Sequence, residues 1–302
     1  MFRRILVPID FSAPSDAALA YGRMFARASH GALHLLHVTD ERLTPPHDAA
    51  PTHPEPAAMR QIRDRLVDDD RRRRLSIRVV ERADPAAAIL RYARAAGVDL
   101  IVMGTHGRTG VSHLVMGSVA EAVVRDAPCP VLTVHQAPPD GLRRLLVPTD
   151  FSGASDAALD CARAVQAQFG ASIHLLHVLE EAPIPGPFGS ELFVTEPPDA
   201  RAARMREATD RLSRRVSAAD RANGRVTADL LFGPVAATIA AYATDHRFDL
   251  VLMGTHGRVG LAHLLMGSVA ERVIRAACPV LTTHGDLPGA LAGVDREAAA
   301  VP

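Results

Sequence analysis

Residues Asp99 to Arg125 read DLIVMGTHGRTGVSHLVMGSVAEAVVR, and Asp249 to Arg275 read DLVLMGTHGRVGLAHLLMGSVAERVIR. The two stretches agree at 19 of 27 positions at an offset of 150. Outward from them, Arg3 to Leu19 (RRILVPIDFSAPSDAAL) matches Arg143 to Leu159 (RRLLVPTDFSGASDAAL) at 13 of 17 positions, offset 140. A repeat of about 140 residues is too long for a solenoid module and has the length of one complete domain. The expected organisation is two copies, residues 1–138 and 142–285, joined by the Pro-rich stretch Gln136 to Gly141 and followed by a tail, 286–302.

Within each copy, short β-branched and leucine-rich runs alternate with amphipathic ones, which predicts an α/β doubly wound parallel sheet. Five strands are expected in the first copy: Arg4 to Ile9, Ala32 to Val38, Ser76 to Glu81, Asp99 to Gly104 and Pro130 to Val134. Helices are expected at Ser15 to Ser29, Ala57 to Arg74, Pro85 to Ala96 and Ser118 to Asp126, with Ser15, Asp84 and Ser118 near their N-termini. The second copy repeats this order, with strands at Arg144 to Thr149, Ser172 to Val178, Val226 to Phe232, Asp249 to Gly254 and Pro279 to Thr283. Its extra length falls in the proline-rich stretch Glu180 to Pro198, which reads as an irregular loop.

Composition narrows the chemistry. The 302 residues are 48% hydrophobic and 23% charged, as in an ordinary globular protein. The 34 basic and 34 acidic residues cancel, which argues against gripping nucleic acid or anionic membrane. Every basic residue is arginine, so a Walker-A lysine, a kinase strand lysine and Schiff-base chemistry are excluded. Cys129, Cys161 and Cys278 form no CxxC pair, as expected of a reducing, cytoplasmic setting, and no run reaches the length of a membrane span. Cys129 and Cys278 read as buried packing residues.

In an open parallel sheet, ligands bind beyond the carboxyl ends of the strands where the strand order reverses. There the sequence offers Asp10 after the first strand, Val38 after the second, and after the fourth the pattern Gly104-x-x-Gly107, nine residues, Gly117-Ser118, repeated at Gly254, Gly257, Gly267 and Ser268. Glycines let a ligand approach the main chain, and Gly117-Ser118 opens a helix whose N–H groups and dipole suit an anion. The dipole supplies about 0.3 to 1 kcal/mol, up to ~2 when partly buried. Micromolar nucleotide binding needs about 8 kcal/mol, so a base or sugar pocket must contribute. Asp10 could take ribose hydroxyls or a magnesium ion, and Val38 could offer backbone groups and an apolar wall to a purine. The histidine pairs His34/His37 and His174/His177, three residues apart in a strand, point to opposite faces and do not converge on one ion. Asp68 to Arg74 reads as a solvated charge run.

The VPIDFS and VPTDFS openings, the GTHGRxG segments and the GxxG, nine-residue, GS spacing resemble the universal stress protein family over nearly the whole chain. The resemblance implies an adenine nucleotide alpha hydrolase-like fold of strand order 3-2-1-4-5, ATP as ligand, and pairing through the last strands, which a tandem chain can make internally as a pseudo-dimer. By position it implies that Pro8 and Asp10 flank adenosine, Val38 meets adenine through its backbone, and Met103 and Gly104 line the ribose. Gly107, Arg108, Gly117, Ser118 and Val119 would surround the phosphates. The second set is Pro148, Asp150, Val178, Met253, Gly254, Gly257, Arg258, Gly267, Ser268 and Val269. His106 and His256 lie within the glycine turn. The expected function is that of a cytoplasmic nucleotide-dependent sensor or regulator. The alternatives are a slow magnesium-dependent ATPase or phosphotransferase using Asp10 and Asp150, and a scaffold binding another small molecule. A protein partner and a further homodimer are left open.

Overall fold

The computed structural model describes residues 2–39, 57–68, 70, 75–80, 84–105, 116–180, 184–185, 191–192, 197–255, 267–276 and 279–284. In the first half, β1 (Arg4–Pro8), β2 (Ala32–Val38), β3 (Leu75–Val80), β4 (Leu100–Gly104) and β5 (Val131–Val134) alternate with α1 (Ala13–Ser29), α2 (Ala57–Asp64), α3 (Pro85–Ala96) and α4 (Ser118–Asp126). The second half begins with β6 (Arg144–Pro148), α5 (Gly153–Phe169) and β7 (Ser172–Leu179), followed by β8 (Ile184–Pro185) and β9 (Glu191–Leu192). It continues through α6 (Pro198–Arg215), α7 (Ala218–Ala222), β10 (Val226–Phe232), α8 (Val235–Asp245), β11 (Leu250–Gly254), α9 (Ser268–Ala276) and β12 (Val280–Thr283).

The strands form one ten-stranded sheet in the order β10-β7-β6-β11-β12-β5-β4-β1-β2-β3. Each half therefore has the expected 3-2-1-4-5 order, all parallel. The halves meet where β12 runs antiparallel to β5, with Leu281 opposite Leu132. Two side chains fasten this seam reciprocally: the Thr133 hydroxyl donates to the Val280 carbonyl at 3.1 Å and the Thr282 hydroxyl to the Val131 carbonyl at 3.2 Å.

Alternation along each strand feeds two cores. Ile5 and Val7 pack with Ala18, Tyr21 and Phe25 of α1 on one face, and that core continues across the seam through Val165 of α5. Leu6, Ile101 and Met103 face α3 and α4 on the other. An edge-to-face contact of Phe25 with Phe169, centroids 5.2 Å apart, joins α1 to α5. Leu142, the residue that follows the linker, is also buried in the shared core.

Helix starts follow local chemistry. Asp84 caps α3 by accepting from the Ala87 amide at 2.8 Å, as its position predicts. α1 starts at Ala13 with Ser12 as its cap, two residues before the expected start at Ser15, which lies in the first turn and donates its hydroxyl to the Ser12 carbonyl. Other departures are informative. α2 ends at Asp64, not Arg74, and Asp70 is 1% exposed, so the charge run is not uniformly solvated. The reason is long-range: Arg23 of α1 grips the Asp70 carboxylate through Nε and Nη2 at 2.6 to 3.0 Å, a partner 47 residues away that local reading does not reveal. The stretch expected as irregular loop contains the two-residue ladder of β8 with β9. Cys129 and Cys161 are buried, and burial pushes both thiols up to about 12, as for packing residues. Cys278 lies outside the described residues. No helix among the described residues is long and apolar enough to cross a membrane.

Candidate functional site

The strand order reverses between β1 and β4 in the first half and between β6 and β11 in the second, so a crevice opens beyond the carboxyl ends of each pair. Pro8, Asp10, Gly104, Gly117, Ser118 and Val119 of the first half are all at least partly accessible there. Gly107, Arg108, Gly257 and Arg258, with His106 and His256, lie outside the described residues.

At the end of β1, Asp10 anchors the start of α1. Its Oδ1 accepts from the Ser12 amide at 3.0 Å and from the Ser12 hydroxyl at 2.6 Å. Asp150 holds Ser152 with the same two distances. This D-x-S turn stands in both copies of the sequence and is the signal for the caps at Ser12 and Ser152. Between the two residues, Phe11 and Phe151 adopt φ of 67° and 65°, left-handed values that cost a bulky residue about 1–3 kcal/mol.

The surroundings hold that geometry. Phe11 packs against His37 with the rings tilted and centroids 4.6 Å apart, and Phe151 packs against His177 in the same way at 4.4 Å. His37 Nδ1 lies 2.6 Å from the Ile9 carbonyl and His177 Nδ1 2.6 Å from the Thr149 carbonyl. Since a carbonyl only accepts, Nδ1 carries the proton in both rings. Arg65 covers Phe11 at 5.0 Å, while Arg211 and Arg215 cover Phe151 at 4.5 and 4.9 Å. The second half adds a bond lacking in the first: the Phe151 amide donates to Thr149 Oγ1 at 3.0 Å, where the first half has Ile9. His34 turns away to Tyr92, consistent with opposite faces for His34 and His37.

At the end of β4, Gly104 lies against the first turn of α1, and Gly254 against that of α5. A Cβ on Gly254 would fall 2.7 Å from the Ala154 Cβ. These glycines therefore let helix and strand end touch. The Met103 and Met253 side chains, each 5% exposed, pack into the core behind the sheet, so what they present at the strand end is backbone. Val38 is half-buried and Val178 buried. Pro148 is buried as well.

Past the strand end, the Gly117 amide donates to the Thr105 carbonyl at 2.8 Å, and Gly267 to Thr255 at 2.9 Å. This seats the N-terminus of α4 beside β4 and that of α9 beside β11. Gly117 caps α4 with no side-chain hydrogen bond, and Ser118 is exposed. Gly117 thus offers the opening amides of α4 no side-chain acceptor, the arrangement that suits an outside anion.

The universal stress protein family profile matches residues 1–135 and again 141–284. A universal stress protein of Thermus aquaticus is 38% identical over 142 residues, covering 45% of this chain and all of the relative. Universal stress protein MJ0531 of Methanocaldococcus jannaschii is 32% identical over 142 residues, 46% of this chain and 80% of the relative. Among solved structures, a functionally unknown protein of Pseudomonas aeruginosa PAO1 shares the fold at TM-score 0.68 and 19% identity, covering 96% of this chain and 95% of its own. A universal stress protein of Archaeoglobus fulgidus does so at TM-score 0.64 and 21% identity, covering 93% of this chain and 98% of its own. With two profile matches spanning both halves, the chain belongs to the universal stress protein family.

Proposed function

We propose that each half binds ATP in the crevice beyond β1 and β4, or β6 and β11, and that the chain acts as a cytoplasmic nucleotide-dependent regulator of a stress response. The observation that carries this reading is the α4 N-terminus, seated at the reversal point by the Gly117–Thr105 bond and capped by a glycine that has no side chain to offer its amides. The equivalent bond from Gly267 to Thr255 supports the same reading for the second half.

In this reading the amides of Ser118 and Val119, and of Ser268 and Val269, meet the phosphates. Gly107 and Arg108, with Gly257 and Arg258, complete that set. Pro8 and Asp10, or Pro148 and Asp150, flank the adenosine, and the backbones of Val38 and Val178 meet adenine. Met103 and Gly104, or Met253 and Gly254, line the ribose through main-chain atoms. Asp10 and Asp150 are the residues that would hold magnesium, which when bound neutralises phosphate charge. Because Asp10 Oδ1 already holds Ser12 in place, its fixed position favours a binding role over proton transfer.

A ligand shifts a conformational equilibrium only by its difference in affinity between states, so regulation by ATP requires measurable binding first. Equilibrium titration of the full chain with ATP is expected to give dissociation constants in the micromolar range. Absence of binding below millimolar concentration would overturn the reading.

A further inference from the structure

Two histidines cross the seam in opposite directions. His135, just past β5, sets Nε2 3.2 Å from the Ile274 carbonyl in the last turn of α9. His284, just past β12, sets Nε2 3.1 Å from the Arg125 carbonyl in the last turn of α4. In both rings the partner is a carbonyl, so Nε2 is the donor. Each half therefore holds the C-terminal end of the helix whose N-terminus opens the other half's crevice. A donor there complements the negative end of the helix dipole, as an anion at the N-terminus complements the positive end.

The chain of contacts continues to each crevice. His135 Nδ1 lies 2.7 Å from Thr105 Oγ1. With the ring proton on Nε2, the threonine hydroxyl donates to Nδ1. The Thr105 carbonyl in turn accepts from Gly117, the cap of α4. The path thus runs from the N-terminus of α4 through Gly117, Thr105 and His135 to the far end of α9. The return path runs from Gly267 to Thr255, whose amide donates at 3.0 Å to the Thr283 carbonyl, then through the adjacent His284 to the far end of α4. A nine-residue helix is about 13 Å long and rigid on this scale, so it carries a displacement from one end to the other.

We propose that the two crevices are coupled through these reciprocal bridges, so that occupation of one half tightens the terminal helix of the other. The proposal rests on nucleotide binding at the crevices. The test separates the two. Ser268→Asp places a negative charge at the α9 N-terminus and closes the second crevice to phosphate; ATP is then added to this full-length variant and amide hydrogen exchange is followed. Slower exchange around β1, β4 and the α4 N-terminus reports binding in the first half.

The coupling predicts that the last turn of α9 also slows, by about fivefold or more, the lower end of typical allosteric coupling. Thr105→Val, added to the same chain, removes the hydroxyl that meets His135 while leaving the bridge to Ile274, and is expected to confine the slowing to the first half. His135→Gln, which keeps an amide donor for Ile274 but not the Thr105 contact, is expected to do the same. Slowing in the first half with α9 unchanged, or α9 slowing that survives both changes, would overturn the coupling and leave ATP binding standing. No slowing in either half would overturn both.

Discussion

A Cβ placed on Gly104 would stand 2.6 Å from the Cβ of Pro14 and 2.9 Å from its carbonyl carbon, so the first turn of α1 rests directly on the end of β4. Backbone cannot give way as a side-chain tip can. Gly104→Ala is expected to destabilise the chain by about 1–3 kcal/mol, the usual range for overpacking. Thermal unfolding is the readout. Gly153→Ala is the control: nothing lies within 4 Å of its added Cβ and it opens α5, so the change is expected to be neutral or slightly stabilising.

The Arg23–Asp70 pair predicts a larger effect. Asp70 is 1% exposed and also accepts from the Val67 amide, while Arg23 donates as well to the Arg65 carbonyl. Arg23→Ala leaves a buried carboxylate without its cation, and breaking such a pair costs about 3–5 kcal/mol. Urea denaturation measures it. Removing the exposed Arg125–Asp126 pair, 33% and 40% accessible, is expected to cost no more than about 1 kcal/mol.

Two histidines set a pH dependence. Burial, chiefly, holds the pKa of His174 below the ordinary 6.5, with Asp229 acting in the opposite direction. Burial and then Arg4 do the same to His34, against Asp99. With folded-state values below the unfolded one, the unfolded chain binds more protons as the pH drops past 6.5. The stabilisation is therefore present above that value and is lost as pH falls through it towards the folded pKa. Asp99, pushed up mainly by burial, acts in the opposite sense at lower pH. Stability measured by urea at pH 7.5 and about 5.5 is expected to fall between the two. The decline is expected to shrink in a His34→Phe, His174→Phe variant.

The sequence made legible what is local or duplicated. The strand Ala32–Val38 and the helices Pro85–Ala96 and Ser118–Asp126 have the bounds that periodicity and caps predict, because their start signals sit within one turn. The 3-2-1-4-5 order came from the family resemblance, since parallel neighbours share no adjacent chain. The buried state of Asp70 and the bridges from His135 and His284 depend on partners 47 to 159 residues away. No spacing rule reports those distances. The left-handed Phe11 was likewise hidden, because local preference argues against that conformation and the ring contact with His37 comes from a residue 26 positions away. One missed element did carry a signal: Ser217 and Asp220 form the capping box that starts α7.

The central claim is that the N-termini of α4 and α9 receive phosphate, and a negative charge introduced there tests it most directly. ATP and adenosine are titrated against the natural chain and a Ser118→Asp, Ser268→Asp variant. A like charge facing the ligand costs several kcal/mol, so ATP affinity is expected to drop by about tenfold or more while adenosine affinity holds. An ATP affinity unchanged in the variant would contradict the account.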